Sequence, residues 1–270
     1  MAEAAKKRGI HRIASLADDY DKEHDIQPLA HQPQIPEESV EEHDAPLVPN
    51  PKPLKDFRSL PPSRMETRDL ISLYWQDVAA AQAQKKPERG SLSLQLGYNV
   101  RKGHICVKVL QGHNLPVLDP TGKSDPYISI QAFPFDVFED SAAKTQQTGT
   151  KKKDLNPVYM EMFHFRCKPS AITHDKAAAI LFTAYDYDMI SGDDLMGEAV
   201  HLLPGTKEVD NESEVGSLDV VVLPLLLPLL PTDIKSHAYA ELEKRTSDKH
   251  AVKFIEERVQ VFDEAKSERK

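Results

Sequence analysis

Asp119 and Asp125 stand in the window LPVLDPTGKSDPYISI, and Asp186, Asp188 and Asp194 follow in AYDYDMISGDDLMGE. Carboxylates grouped in this way suit a hard cation. Calcium takes six to eight oxygen ligands and needs several carboxylates on loops that can flex around it. Both windows are bounded by strand-like residues, so two loops at one end of a β-sandwich would form the cup. Without an ion, five like charges repel one another and raise some of their own pKa values, which predicts strained, mobile loops. An EF-hand does not fit. Counting from Asp186, Ile190 falls at position five, Ser191 stands where Gly is required, Gly197 falls at position twelve and Glu198 comes one residue late. Ordinary turn aspartates remain the alternative for either window taken singly, since Asp favours turns.

The elements that must position these loops are legible as alternation. Leu92, Leu94 and Leu96 point one way between Ser91 and Gly97, as do Ile105, Val107 and Val109, then Ile128 and Ile130. Phe163 and Phe165 alternate with Met162 and His164, and Leu181 and Thr183 with Ile180 and Phe182. Short strands separated by turn residues predict an all-β sandwich. Asn156 and Pro157 read as the turn into the strand that begins at Tyr159. Between Glu66 and Gln84, Leu70, Ile71, Leu73, Tyr74 and Val78 recur at helical spacing, with Thr67 as N-cap, KKPERG as terminator and Trp75 at one edge of the apolar face. That face must rest on the sandwich or on a domain outside this chain. Beyond Thr232 the sequence predicts one or two helices with Val252, Ile255, Val259 and Phe262 on one face. The first 65 residues, rich in Pro, Glu, Asp and His with few aromatics, predict a disordered segment.

Composition bounds the function classes. Of 270 residues 40% are hydrophobic and 20 are Pro, with a mean hydropathy of −0.50, so only part of the chain buries a core. A net charge of −9 and a pI near 5.7 argue against nucleic acid as partner, and an anionic membrane would repel the molecule as a whole, so binding one would need local help. Cys106 and Cys167 lie in strand-like runs and read as reduced, buried fillers. The N-terminus lacks the apolar core of a secretory signal, and VVVLPLLLPLLP is too short for the roughly 20 residues of a membrane-spanning helix. A cytoplasmic protein is expected. The 11 histidines show no E-x-x-H or H-x-x-x-H pairing, so zinc is not expected. There is no Gly-rich phosphate loop and no G-x-S-x-G elbow, so the expectation is a protein that is not an enzyme.

Taken together and in this order, LPVLDPTGKSDPY, KKKDLNPVYMEMFHF and YDYDMISGDDLMGE resemble the three calcium loops of the C2 domain, the calcium-dependent phospholipid-binding sandwich. The resemblance implies an eight-stranded antiparallel β-sandwich over residues 90–231, with a helix at 66–85 before it and a helical extension at 232–270 after it. It implies Ca2+ as the cofactor, two or more ions, and Asp119, Asp125, Asp186, Asp188 and Asp194 as ligands. Asp125 and Asp186 would sit deepest, Asp186 and Asp188 would bridge ions, and Asp119 and Asp194 would lie nearer the rim. Lipid phosphate oxygens would complete the coordination.

Met189 and Ile190, apolar residues at the tip of the third loop, read as a wedge into the headgroup region, with packing back on the loop as the alternative for Met189. Pro120 follows Asp119 where some relatives carry a larger apolar residue, which implies shallow insertion there. Lys151, Lys152 and Lys153 lead into the second loop and would hold anionic headgroups, contributing on the order of 1 kcal/mol each, or serve as a solvated strand edge. The acidic stretch FDVFEDSA, where phosphoinositide-binding relatives are lysine-rich, argues against strong phosphoinositide selectivity.

The flanks TRDLISLYWQDVAAAQAQ and AYAELEKRTSDKHAVKF are similar to the C-terminal end of Unc-13 family vesicle-priming factors, of the delta-homolog and brain-angiogenesis-inhibitor-associated types. That likeness implies a short product or fragment lacking a long SNARE-handling domain. Two functions are expected from different classes. One is a calcium-dependent module binding anionic phospholipid membranes in regulated exocytosis. The other is a calcium-independent scaffold for SNARE or Rab proteins.

Overall fold

The computed structural model describes residues 61–118, 122–133, 138, 145–173, 178–189 and 192–269. The expected disorder of residues 1–65 therefore lies, for residues 1–60, outside the described residues, as does FDVFEDSA apart from Phe138. Among the described residues nine strands form two sheets: β1 (Ser91–Asn99), β2 (His104–His113), β3 (Pro126–Phe133), β4 (Thr145–Gln147), β5 (Val158–Arg166), β6 (Ala179–Asp186), β7 (Asp194–Leu202), β8 (Glu208–Val209) and β9 (Val221–Pro224). One sheet runs β5-β2-β1-β8 with β9 also on β1, and the other runs β4-β3-β6-β7. The all-β sandwich is as expected. Its detail differs from eight antiparallel strands, because the two-residue β8 adds a ninth and runs parallel to β1.

Alternating apolar residues of the two sheets face one another and form the core. Leu92, Leu94, Ile105, Val107 and Val109 of one sheet pack with Ile128, Ile130, Ile180, Phe182 and Met196 of the other. The prolines of 220–231 end β9 and carry the chain across to the second sheet, where Leu226 exchanges backbone hydrogen bonds of 2.8 and 3.1 Å with Glu198. Gly90 makes this crossing possible. Its φ is +84°, and a Cβ there would lie 2.2 Å from the His113 carbonyl oxygen and 2.6 Å from that of Asn114. Gly90→Ala is expected to lower stability by about 2 kcal/mol, read as a lower urea midpoint at unchanged slope.

The outer face of the four-stranded sheet carries a helical layer: α1 (Thr67–Gln82), α2 (Glu212–Val215) lying apart on the other sheet, then α3 (Pro231–Ile234), α4 (His237–Leu242) and α5 (Lys249–Glu268). Leu70, Tyr74, Trp75 and Val78 of α1 meet Phe133, Ala179, Leu181 and Val200 of the sheet and Tyr239, Phe254 and Phe262 of the last two helices. Three expectations need correction here. Trp75 is central, fully buried among Tyr74, Phe133 and Phe254, instead of at an edge. Thr67 is the first helical residue and not the N-cap; Glu66 precedes it without a side-chain cap, and the Thr67 hydroxyl donates to Asp248, the N-cap of α5. The buried stripe of α5 is Ala251, Phe254, Arg258, Phe262 and Ala265, while Val259 is exposed and Val252 and Ile255 are only half-buried.

The reason for the last shift is one ion pair. Arg258 donates from both terminal nitrogens to the Glu198 carboxylate of β7 at 2.9 and 3.0 Å, and the two side chains are 4% and 0% exposed. Burial opposes the charge on Arg258, but the Glu198 carboxylate outweighs it and holds the guanidinium pKa above its ordinary value. Tyr74, Trp75 and Phe262 surround the guanidinium with ring centroids 4.9–5.8 Å away. A buried charge held this way rotates α5 so that Arg258, not Val259, faces inward. Gln82 at the end of α1 completes the cover of the exposed strand edge, accepting from the Val200 N–H at 2.9 Å and donating to the Glu198 carbonyl at 3.3 Å.

Candidate functional site

Three connections meet at one end of the sandwich: 114–125 between β2 and β3, 148–157 between β4 and β5, and 187–193 between β6 and β7. Strand register brings their acidic residues together. Asp186 ends β6 opposite Pro126 on one side and Asp194 on the other, so Asp125, Asp186 and Asp194 lie on three adjoining strand ends. Asp186 is only 3% exposed. One of its oxygens accepts the Asp125 N–H at 2.6 Å, and an Asp125 oxygen accepts the Lys153 N–H at 2.8 Å. The Asp125 carbonyl in turn accepts from the Tyr187 N–H at 3.1 Å. The floor of the site is thus tied to all of its neighbours through the backbone.

The first and second loops are pinned to each other. The buried Ser124 hydroxyl donates to the Pro116 carbonyl at 3.2 Å and accepts from Leu118 N–H at 3.1 Å, and the Ser124 carbonyl accepts from Asp154 N–H at 3.1 Å. Asn156 accepts from Asn114 N–H at 2.9 Å. The third loop has a residue that the sequence reading left out of the site. Asp193 accepts the Asp188 N–H at 3.2 Å and the Tyr127 hydroxyl at 2.7 Å, so it braces the loop that carries Asp188. The neighbouring Gly192, at φ +93°, supplies the turn. The DD pair at 193–194 was visible in sequence, but alternation alone does not say which Asp faces the strand and which the loop.

Asp119, Pro120 and Ile190 lie outside the described residues. Met189 is 84% exposed, so its side chain does not pack back on the loop. Lys152 and Lys153 are exposed, and Lys151 is half-buried with its ammonium 5.7 Å from the centre of the Tyr159 ring. The described residues of the three loops offer carboxylate and carbonyl oxygens and no His or Cys. An all-oxygen donor set of this kind fits a hard cation such as calcium.

The described aspartates of the loops do not form a tight group. Among the described residues, the one group of His, Cys, Asp or Glu with three ligand atoms within 4.8 Å of one another is His104, Cys106 and His164, on the other face of the molecule's five-stranded sheet. Like carboxylates without a counter-ion separate, and Asp125 and Asp186 engage backbone N–H groups. The histidine and cysteine group was missed in sequence, where zinc was not expected. Only His104 and Cys106 are close in sequence, and His164 joins them from the paired strand.

The described helices include none long and apolar enough to cross a membrane. The C2 domain family model matches residues 103–217. The chain is 32% identical over 193 residues to human BAI1-associated protein 3, covering 71% of this chain and 16% of that protein. It is 30% identical over 199 residues to human Protein unc-13 homolog D, covering 73% of this chain and 18% of that protein. The chain therefore spans less than a fifth of the length of these curated relatives. Among solved structures, the RIM C2A domain from Drosophila aligns with 52% of this chain and 100% of its own, at 20% identity and a TM-score of 0.42. The family match falls on the strands and loops that hold the acidic cup, and the β-sandwich of this chain is a C2 domain.

Proposed function

We propose that this chain is a calcium-dependent phospholipid-binding module serving regulated exocytosis, a binding protein and not an enzyme. The observation that carries the reading is the meeting of Asp125, Asp186, Asp188 and Asp194 at one end of the sandwich beside an exposed apolar side chain, Met189. Asp119 joins the set by its place in the first loop. When bound there, calcium offsets the carboxylate charge and offers coordination positions to lipid phosphate oxygens.

The protein's own residues do the rest. Asp186 and Asp125, fixed by backbone hydrogen bonds, form a floor that keeps its geometry whether or not the rim moves. Asp193 holds the third loop so that Met189 projects outward, with Ile190 next to it in the chain. Lys152 and Lys153 supply exposed positive charge beside the cup, on a chain whose net charge is −9. The protein would then be cytoplasmic and peripheral to vesicle or plasma membranes when calcium rises.

Sedimentation with phosphatidylserine-containing vesicles across a calcium titration tests the reading, with pelleting expected only when calcium is present. Equal pelleting with and without calcium would overturn it and favour a scaffold for SNARE or Rab proteins. Met189→Ala should weaken calcium-dependent vesicle binding roughly 10-fold, because complete burial of a Met side chain contributes about 1.5–3 kcal/mol and Ala retains part of it. Calcium affinity measured without lipid should stay unchanged in that variant. A parallel loss of both would place Met189 in the loop's structure instead.

A further inference from the structure

We propose that His104, Cys106, His164 and Glu212 form a second metal site, for a borderline-soft divalent cation of the zinc class, at the end of β2 away from the acidic loops. His104 and Cys106 are two residues apart on β2 and share its outer face, and β5 places His164 directly opposite Cys106. The ligand atoms of these three side chains lie within 4.8 Å of one another. The two imidazoles meet edge to face with centroids 4.8 Å apart. Both Nε2 atoms are shut off from solvent and lack a hydrogen-bond partner. Two buried imidazole nitrogens that lack a hydrogen bond, close to one another and to a thiol, are what a metal would satisfy.

The fourth donor comes from α2. Its first residue, Glu212, places carboxylate oxygens 3.6 Å from His104 Nε2 and 3.4 Å from His164 Nε2. Asn211 fixes that helix start by accepting the Glu214 N–H. Two nitrogens, one sulfur and one carboxylate make a four-ligand set suited to zinc and unsuited to calcium, which selects oxygen. Tetrahedral zinc with bonds of about 2.0–2.3 Å holds its ligands roughly 3.3–3.8 Å apart, so closure asks for a contraction of about 1 Å. His164, 39% exposed, has room to make it, whereas His104 is 12% exposed and Cys106 fully buried. Val209, Val215, Met162 and Leu218 surround the thiol and keep water from the sulfur. Lys102, with its ammonium 2.6 Å from Glu212, competes for one carboxylate oxygen and must yield it or share. Metal binding displaces the Cys106 thiol proton to solvent. The site would clip β2, β5 and α2 together independently of the calcium loops.

Cobalt is the probe. The full chain, stripped with a chelator, is titrated with Co2+ in calcium-containing buffer, where tetrahedral ligand-field bands and a thiolate-to-cobalt charge-transfer band are expected to saturate at one equivalent. Zinc should then bleach them. Cys106→Ser should abolish the charge-transfer band, and His164→Gln, at a partly exposed position that leaves the fold intact, should weaken Co2+ at least about 10-fold. Absence of the charge-transfer band in the unaltered chain would overturn the site, as would its persistence in Cys106→Ser, which would assign the thiolate to Cys167.

Discussion

Arg258→Ala is expected to lower the unfolding free energy by about 3–5 kcal/mol, since it strands the Glu198 carboxylate in a site that is 0% exposed. The loss has three parts. The bidentate hydrogen bonds at 2.9 and 3.0 Å disappear, the guanidinium leaves its place among Tyr74, Trp75 and Phe262, and a carboxylate remains without its cation. Guanidinium unfolding followed by far-UV circular dichroism measures it. Replacing both partners with apolar residues, as in Glu198→Met with Arg258→Met, should recover most of the loss, because a well-packed apolar pair avoids the desolvation of two ions. A single-variant loss under about 1 kcal/mol would mean that α5 is not held by this pair. The helical layer would then rest on its aromatic contacts alone.

Asp186→Asn combined with Asp188→Asn should abolish calcium-dependent vesicle pelleting, or raise the half-maximal calcium by at least an order of magnitude, since affinity follows the number of charged ligands. Folding is expected to survive. Asn keeps the side-chain oxygen that accepts the Asp125 N–H at 2.6 Å, and removing two like charges relieves repulsion in the metal-free cup. Thermal unfolding without calcium should therefore show the double variant at least as stable as the parent, while calcium should raise the melting temperature of the parent only. Retained pelleting in a folded double variant would remove the aspartates from the mechanism.

The strands that build the core were legible because each sheet has one face against the other, so Leu92, Leu94 and Leu96, or Ile105, Val107 and Val109, alternate with residues on the opposite face. The loop chemistry was legible for a related reason. Carboxylates at both margins of a turn are local, and their order along the chain survives folding. Apolarity alone misplaces the buried face of α5, because Arg258 takes the buried position. A charge can sit there only because Glu198, 60 residues away in sequence, meets it. Nothing in the local pattern of α5 records that partner.

The group of His104, Cys106, His164 and Glu212 was invisible for the same reason, since cross-strand pairing brings β2 and β5 together and α2 arrives from a third segment. By itself, then, the sequence determined the periodicity of the strands, most of the hydrophobic face of α1 and the carboxylate content of the loops, all set by neighbours within a few residues. Only the tertiary structure decided which aspartate is buried, which helix face turns inward and which titratable groups meet. Those depend on pair distances and on the desolvation of partnered charges, and neither exists until distant segments close on one another.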